Sequence, residues 1–198
     1  MATTVKLDAK AALLEAGKEI MLEKGYTNTG IQEVLNAVGV PKGSFYHYFE
    51  SKEDFAVKII EYADQTHGAK LVLTLKNPDI SPLNRLKNYC KEGKKSLTEL
   101  ECGGGCLIGN LSQEMSDQSE VLRKALDAVM NRWKELFTQC INEGQKTGEI
   151  NDAWTAAKMA EFFLSGWEGS IMRAKSIKSI EPVNTFIDLM FNHILKAK

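Results

Sequence analysis

The chain has little of what would place it in several large protein classes. Four cysteines in 198 residues are too few for a disulfide scaffold and suit a reducing compartment. No run of about 18 apolar residues occurs, so no membrane span is expected. The opening MATTVKLDAK lacks the apolar core of a signal peptide, and a cytoplasmic protein is expected. Strict apolar/polar alternation is missing, which argues against strands, and no internal repeat appears. There is no HExxH, no phosphate loop and no nucleophile–base pair. An α-helical enzyme is therefore the weaker alternative, and no catalytic residue or cofactor is expected. A metal site needs three or four ligands. His47, His67 and His193 lie far in sequence from Cys102 and Cys106, so none is expected.

A strong charge bias is also missing. The net charge is −1, and residues 1–55 carry six lysines against eight carboxylates. Nucleic-acid binders usually show a basic patch, so weak non-specific binding follows. Local placement still decides, because screening acts over about 8 Å. Lys6, Lys10, Lys42 and Lys52 are expected on one face, with Glu15, Glu19, Glu23 and Glu33 elsewhere.

What the chain does have is helical sequence. At 43% hydrophobic residues it can fill a core, and helix-period stripes run throughout. Leu7 to Lys24 reads as one helix, ended at Gly25. Ile31, Val34, Leu35 and Val38 form one apolar face. Thr29 and Gln32 suit the cap of that helix, and Gly39 suits its left-handed end. A short helix follows from about Pro41, with Pro tolerated in its first turn. Phe45 and Phe49 anchor it, and Lys42, Ser44, Tyr46, His47 and Tyr48 supply hydrogen-bonding groups. Ser51 opens a long helix, with Asp54 completing a capping-box variant. Further helices are expected from Ser81-Pro82 to Leu100, Cys106 to Met115, Asp117 to Gly144, Asp152 to Lys175 and Pro182 to Ala197. A short anchored helix behind a supporting helix is the form of a DNA reading head.

The stretch GVPKGSFYHYFESKEDF resembles the helix-turn-helix signature of the TetR family of transcriptional regulators, through Gly39, Gly43, Tyr46, Tyr48, Phe49 and Lys52. Leu35 and Val38 are larger than many members carry there. The resemblance implies an all-α protein: a three-helix DNA-binding domain at 1–50 and a larger helical effector-binding and dimerisation domain at 51–198. It implies a homodimer on a palindromic double-stranded operator, released by a small-molecule effector, with repression the expected outcome. Lys42, Gly43, Ser44 and His47 are expected at the bases. Thr29, Tyr46, Tyr48 and Lys52 are expected at the phosphates.

The C-terminal part has two notable features. Broad apolar stripes run along the last two helices, from Ala156 to Trp167 and from Val183 to Ile194. In the resembled family this pair of helices forms the dimer bundle. Small residues at Ser165, Gly166, Gly169 and Ser170 suit close helix approach there. The second feature is ECGGGCLIGNLSQEM, in which three glycines precede Cys106 at a helix start. Helix N-termini favour the thiolate, the reactive form, and Cys102 is near enough in sequence to pair with it. The segment resembles a TetR subgroup containing an N-ethylmaleimide-responsive repressor. By that resemblance Cys106 is the sensor and Lys175 its associated lysine. The alternative is a regulator with structural cysteines and a non-covalent pocket, for which Trp133, Phe137, Phe163, Trp167 and Met172 are candidate lining residues. Cys90 and Cys140 read as core.

Overall fold

The helix periods become helices almost where the sequence places them. The computed structural model describes the backbone of residues 2–197 and the side chains of residues 9–197. In chain order the helices are α1 (Ala2–Asn28), α2 (Ile31–Val38), α3 (Lys42–Tyr48), α4 (Lys52–Leu75), α5 (Pro82–Glu99), α6 (Leu107–Met115), α7 (Glu120–Lys146), α8 (Ala156–Ile177) and α9 (Glu181–Leu189). A π-helical turn, Met190–Ile194, continues α9. No strand forms among the described residues. The protein is all-α, as expected.

Two compact units are distinguishable. One comprises Met1–Thr66 with Leu107–Val129, the other His67–Cys106 with Met130–Lys198. The expected DNA-binding segment, 1–50, lies within the first unit. That unit extends further, because α6 packs on α1. The divide therefore falls within α4 and α7 and between Cys106 and Leu107.

In the first unit, Leu13, Met21, Val34, Leu35, Phe45, Phe49, Phe55 and Ile59 are buried together. Phe45, Phe49 and Phe55 form a triangle of rings 4.6–5.2 Å apart, which fixes α3 and the start of α4. Ser51 and Asp54 cap α4 reciprocally: the Asp54 amide donates to the Ser51 hydroxyl at 3.0 Å, and the Glu50 amide donates to the Asp54 carboxylate at 3.0 Å. The cap expected at α2 does not form. Its N-cap is Gly30, without a side-chain bond. The Thr29 hydroxyl instead donates to the Gly25 carbonyl at 2.6 Å, and the Gln32 amide donates to Asn36. The cause is a break in α1 at Gly25 (φ 79, ψ 174), which leaves that carbonyl in need of a donor.

The second unit is built on α5, α8, α9 and the remainder of α7. Buried Arg85 donates to the carbonyls of Ile80 and Leu75 at 2.7 and 3.1 Å and pairs with Glu143 at 2.6 Å. It thereby satisfies backbone groups freed where α4 ends. α8 starts at Ala156 rather than Asp152, because Thr155 supplies the cap, accepting from the Lys158 amide. The last helix stops short of Ala197 through the π turn, in which the Leu195 amide donates to Met190.

Candidate nucleic-acid interface and sensor site

The α2–α3 corner follows from one backbone conformation. Gly39 is left-handed (φ 72, ψ 31), and the amides of Gly39 and Val40 both donate to the Leu35 carbonyl, ending α2 in the bonding pattern glycine favours. Pro41 then takes an extended conformation and serves as the N-cap of α3, one residue before the expected first turn.

With Phe45 and Phe49 buried, the opposite side of α3 is left outward. Lys42, Gly43, Tyr46 and His47 are exposed, and Ser44 and Tyr48 half-buried. Tyr46 is 55% exposed, a large aromatic left outside with a hydroxyl at its tip. At Gly43 a Cβ would meet nothing within 4 Å. Glycine there costs helix stability, of order 0.5–1 kcal/mol, with no return inside the protein.

The acidic excess of this unit is partly neutralised in place. Lys24 pairs with Glu33 and Lys18 with Glu15, and the Lys18 hydrogen bond holds the Glu15 carboxyl below its ordinary value. Lys10 and Lys42 are exposed, and the Lys6 side chain lies outside the described residues. Thr29 is only 2% exposed with its hydroxyl committed to Gly25. Lys52 donates to the Thr27 carbonyl at 3.1 Å and lies 4.6 Å above the Tyr26 ring, so it ties α4 to the end of α1.

A residue that the sequence did not single out completes this junction. Glu114, on α6, accepts the amides of Tyr26 and Thr27 at 2.8 Å each. Those amides follow the break at Gly25 and lack helical partners. Burial works against ionisation of Glu114, but the hydrogen bonds from Thr27 and Tyr26 and the Lys52 charge outweigh it and hold the carboxyl below its ordinary value.

In the second unit the cysteines separate by environment. Cys90, Cys102 and Cys140 are buried and Cys106 is half-buried. Burial pushes the Cys90 thiol far up and that of Cys140 up to about 12. Both are unreactive core groups, as expected. Cys106 immediately precedes α6, which begins at Leu107 rather than at the cysteine itself. The approach is conformationally unusual: Glu101 (φ 49) and Cys102 (φ 56) are left-handed without being glycine, ahead of Gly104 and Gly105. A shallow cavity of about 640 Å³ opens beside Cys102, lined also by Thr98, Leu100, Glu101, Lys178 and Ile180.

Burial raises the carboxyl of Glu168, on α8, to about 7, against a lowering effect from the neighbouring Cys106. Burial raises the phenol of Tyr89, on α5, well above its ordinary value, with smaller contributions from Glu168, Cys106 and Cys90. The sequence did carry a signal for Glu168: it is the lone charged residue between Glu161 and Arg173, inside the stripe FFLSGWEGSIM. Lys175 is half-buried in the last turn of α8, seven residues beyond Glu168, or about 10 Å along the helix.

Four of the five candidate pocket residues do cluster. Tyr89 lies between Phe137, Phe163 and Trp167, at 5.0, 6.4 and 5.5 Å, and His67 bridges toward Trp133 at 4.6 Å. These rings pack on one another. Met172 points away and is 56% exposed. It shares the outer face of α8 with Phe162, 57% exposed, Ser165 and Gly169. The four small residues of α8 divide likewise. A Cβ at Gly166 would strike the Phe186 ring at 2.8 Å, so this glycine admits α9, whereas one at Gly169 meets nothing within 4 Å. Ser170 is buried and bonds to the Trp167 carbonyl.

Residues 13–59 match the family model for bacterial regulatory proteins of the tetR family, and residues 82–190 match the tetracyclin repressor-like C-terminal domain. The chain belongs to the TetR family. Over 93% of its length it is 36% identical to the HTH-type transcriptional repressor DhaR of Mycobacterium sp. (strain GP1), covering 91% of that protein. The crystal structure of a regulatory protein TetR from Rhodobacter sphaeroides superposes with a TM-score of 0.89 at 36% identity, over 94% of this chain and 99% of that one. The reduced form of Escherichia coli NemR superposes with a TM-score of 0.90 at 29% identity, over 96% and 98%. As a TetR family member the protein is a DNA-binding transcriptional regulator, and these relatives are regulators rather than enzymes. Among the described residues, no helix is long and apolar enough to cross a membrane.

Proposed function

We propose that the protein is a dimeric cytoplasmic repressor that leaves a palindromic operator when a thiol-reactive electrophile modifies Cys106. The observation that carries this reading is the position of Cys106. It is the half-buried member of four cysteines and immediately precedes α6. The other end of α6 carries Glu114, which holds the amides just ahead of the helix-turn-helix. An adduct at residue 106 presses on the start of α6, and Glu114 passes the shift to Tyr26 and Thr27. Likeness to NemR, whose crystal structure is of a reduced form, supports a redox-responsive thiol. Cys102 is the candidate to resolve an oxidised Cys106, and Lys175 a candidate to assist it. Coupling of about 1.4 kcal/mol between effector and DNA suffices for tenfold release.

On DNA, α3 enters the major groove, and two copies hold their reading helices about 34–36 Å apart. Lys42, Ser44 and His47 face the base edges, and Gly43 permits close approach. Tyr46 and Tyr48 hold phosphates. Lys52 sets the angle of α4 from its seat on Thr27 and lends positive charge. Thr29 leaves the phosphate set because its hydroxyl is buried and committed.

Two measurements test this function. In gel-shift titrations at fixed salt, Tyr46→Phe weakens binding to operator and mutated operator by similar factors, since a phosphate contact carries no sequence information. Lys42→Ala narrows the gap between the two DNAs, by roughly 1–3 kcal/mol for a base-edge contact. Wild-type-like behaviour of both variants rules out this face as the DNA contact. For sensing, N-ethylmaleimide releases operator from the wild type but not from Cys106→Ser. Equal release from the serine variant removes Cys106 as trigger and leaves a non-covalent pocket.

A further inference from the structure

His47 occupies the centre of the outward face of α3. At about 100° per residue, Gly43 and His47 fall on one line of the helix, opposite Phe45, which is fully buried. The imidazole is exposed. A helical side chain covers the turn before its own Cα, here the turn that contains Gly43. We infer that His47 meets the duplex as an imidazolium ion that gains its proton on binding, so that operator affinity rises as pH falls. The inference rests on the reading face proposed above and deepens it.

The imidazole is uncommitted within the chain. Its ring stands edge-on to Tyr48, with centroids 4.9 Å apart, and no hydrogen bond or ion pair holds it among the described residues. α3 itself brings Lys42, Tyr46 and Tyr48 to its surroundings, and the turn after α3 brings Glu50. The elements packed behind α3 are α2 and the start of α4, and their ionisable groups are engaged elsewhere. Glu33 of α2 pairs with Lys24. Lys52 donates to the Thr27 carbonyl, Glu53 accepts from the Ser119 hydroxyl, and Asp54 accepts from the Glu50 amide. None of these carboxylates is bonded to the imidazole.

The duplex supplies what the chain does not. Its phosphates surround a helix in the major groove with negative charge, and an opposite charge nearby favours the charged form of a base. The single charge of Lys42 works against this and is outnumbered. His47 also lies in the last turn of α3, where the helix dipole favours a cation. An imidazolium has two N–H donors and no acceptor. Its counterpart is the guanine edge, whose N7 and O6 are both acceptors. The sign follows from linkage. A proton held more tightly in the complex than in the free protein gives affinity that is present at low pH and lost as pH rises. Imidazole is the side chain whose charge ordinarily changes between pH 5 and 8. His47 is the one histidine of the first unit, His67 and His193 lying in the second.

The test uses the full-length protein and a labelled duplex that it selects from random-sequence DNA at about pH 7. Binding is followed by fluorescence anisotropy at constant ionic strength, from about pH 6 to pH 8. Two heads that each take up about half a proton strengthen binding about tenfold per pH unit. The wild type is therefore expected to bind at least about tenfold more tightly at the acid end than at the alkaline end. His47→Gln, at an exposed position, is expected to fold and to bind with little change across the range. His47→Lys, charged throughout, is expected to be equally flat and to bind more tightly than His47→Gln at the alkaline end. Calorimetry in two buffers of different ionisation heat counts the protons directly: uptake by the wild type and none by His47→Gln. A wild-type affinity that does not change with pH overturns the inference. So does a His47→Gln protein that keeps the wild-type pH dependence. Weakening of His47→Gln by one factor at every pH makes the imidazole a neutral contact, which ends the inference and leaves the reading face standing. If His47→Gln, Lys42→Ala and Tyr46→Phe all bind like wild type, the reading face itself has failed and the inference with it.

Discussion

Gly169→Glu is expected to give a folded monomer that no longer holds operator DNA. On α8, Phe162, Ser165, Gly169 and Met172 repeat at the three–four spacing of a helix-packing seam. All four lie on the outer side, and Leu189 of α9 is exposed as well. An added side chain at Gly169 meets nothing within its own protomer, and replacing a mid-helix glycine improves helix propensity by up to about 1 kcal/mol. The protomer has no reason to unfold. If this face forms the two-fold seam, as the resemblance to the family implies, each new carboxylate enters it beside its symmetry copy. A charge buried in that way costs several kcal/mol. Light scattering should show the wild type at about twice 22.0 kDa and the variant at the single mass. Operator affinity should fall by at least about a hundredfold, since about 2.7 kcal/mol corresponds to that factor. Phe162→Glu on the same face should behave alike. A Gly169→Glu protein that remains dimeric would place the interface elsewhere.

Glu114→Ala is expected to lower stability near neutral pH and to weaken the link between Cys106 and DNA. The substitution strips the amides of Tyr26 and Thr27 of a charged acceptor. Hydrogen bonds to charged groups contribute about 1.5–3 kcal/mol each. Water reaches this partly exposed junction and recovers some of the loss, so about 2–4 kcal/mol is expected. For a chain of this size that lowers Tm by roughly 5–15 °C. The sign of the pH dependence is fixed by the lowered Glu114 carboxyl. A folded value below the unfolded one gives stability that is present above the unfolded value and lost as pH falls through the folded value. The gap between wild type and Glu114→Ala should be widest at pH 6–7 and close in acid. Urea titrations at pH 7 and in acid measure it. A gap independent of pH would mean that the carboxylate charge does not hold this junction. In the same variant, N-ethylmaleimide should still label Cys106 but release less DNA.

Local chemistry determined most of the helices and the turn between α2 and α3. The turn at Gly39, the Ser51–Asp54 cap and the Phe45–Phe49 pair each involve residues within a few positions of one another, where spacing alone sets which groups can meet. The outer polar face of α3 follows once those two phenylalanines are buried. Tertiary structure decided what contiguous spacing leaves open. Thr29 has the composition of a cap, but the break at Gly25 offered its hydroxyl another carbonyl. Gly166 and Gly169 read alike in sequence, yet only Gly166 lies under Phe186. Trp133, Phe137, Phe163 and Trp167 read as pocket or core alike; the last three close on Tyr89, Trp133 packs on His67, and Met172 turns outward. Glu114 meets Tyr26 across 88 residues. A helix stripe states that a side chain faces inward. Which neighbour it meets depends on how helices cross, and that is set by the packing of all of them together.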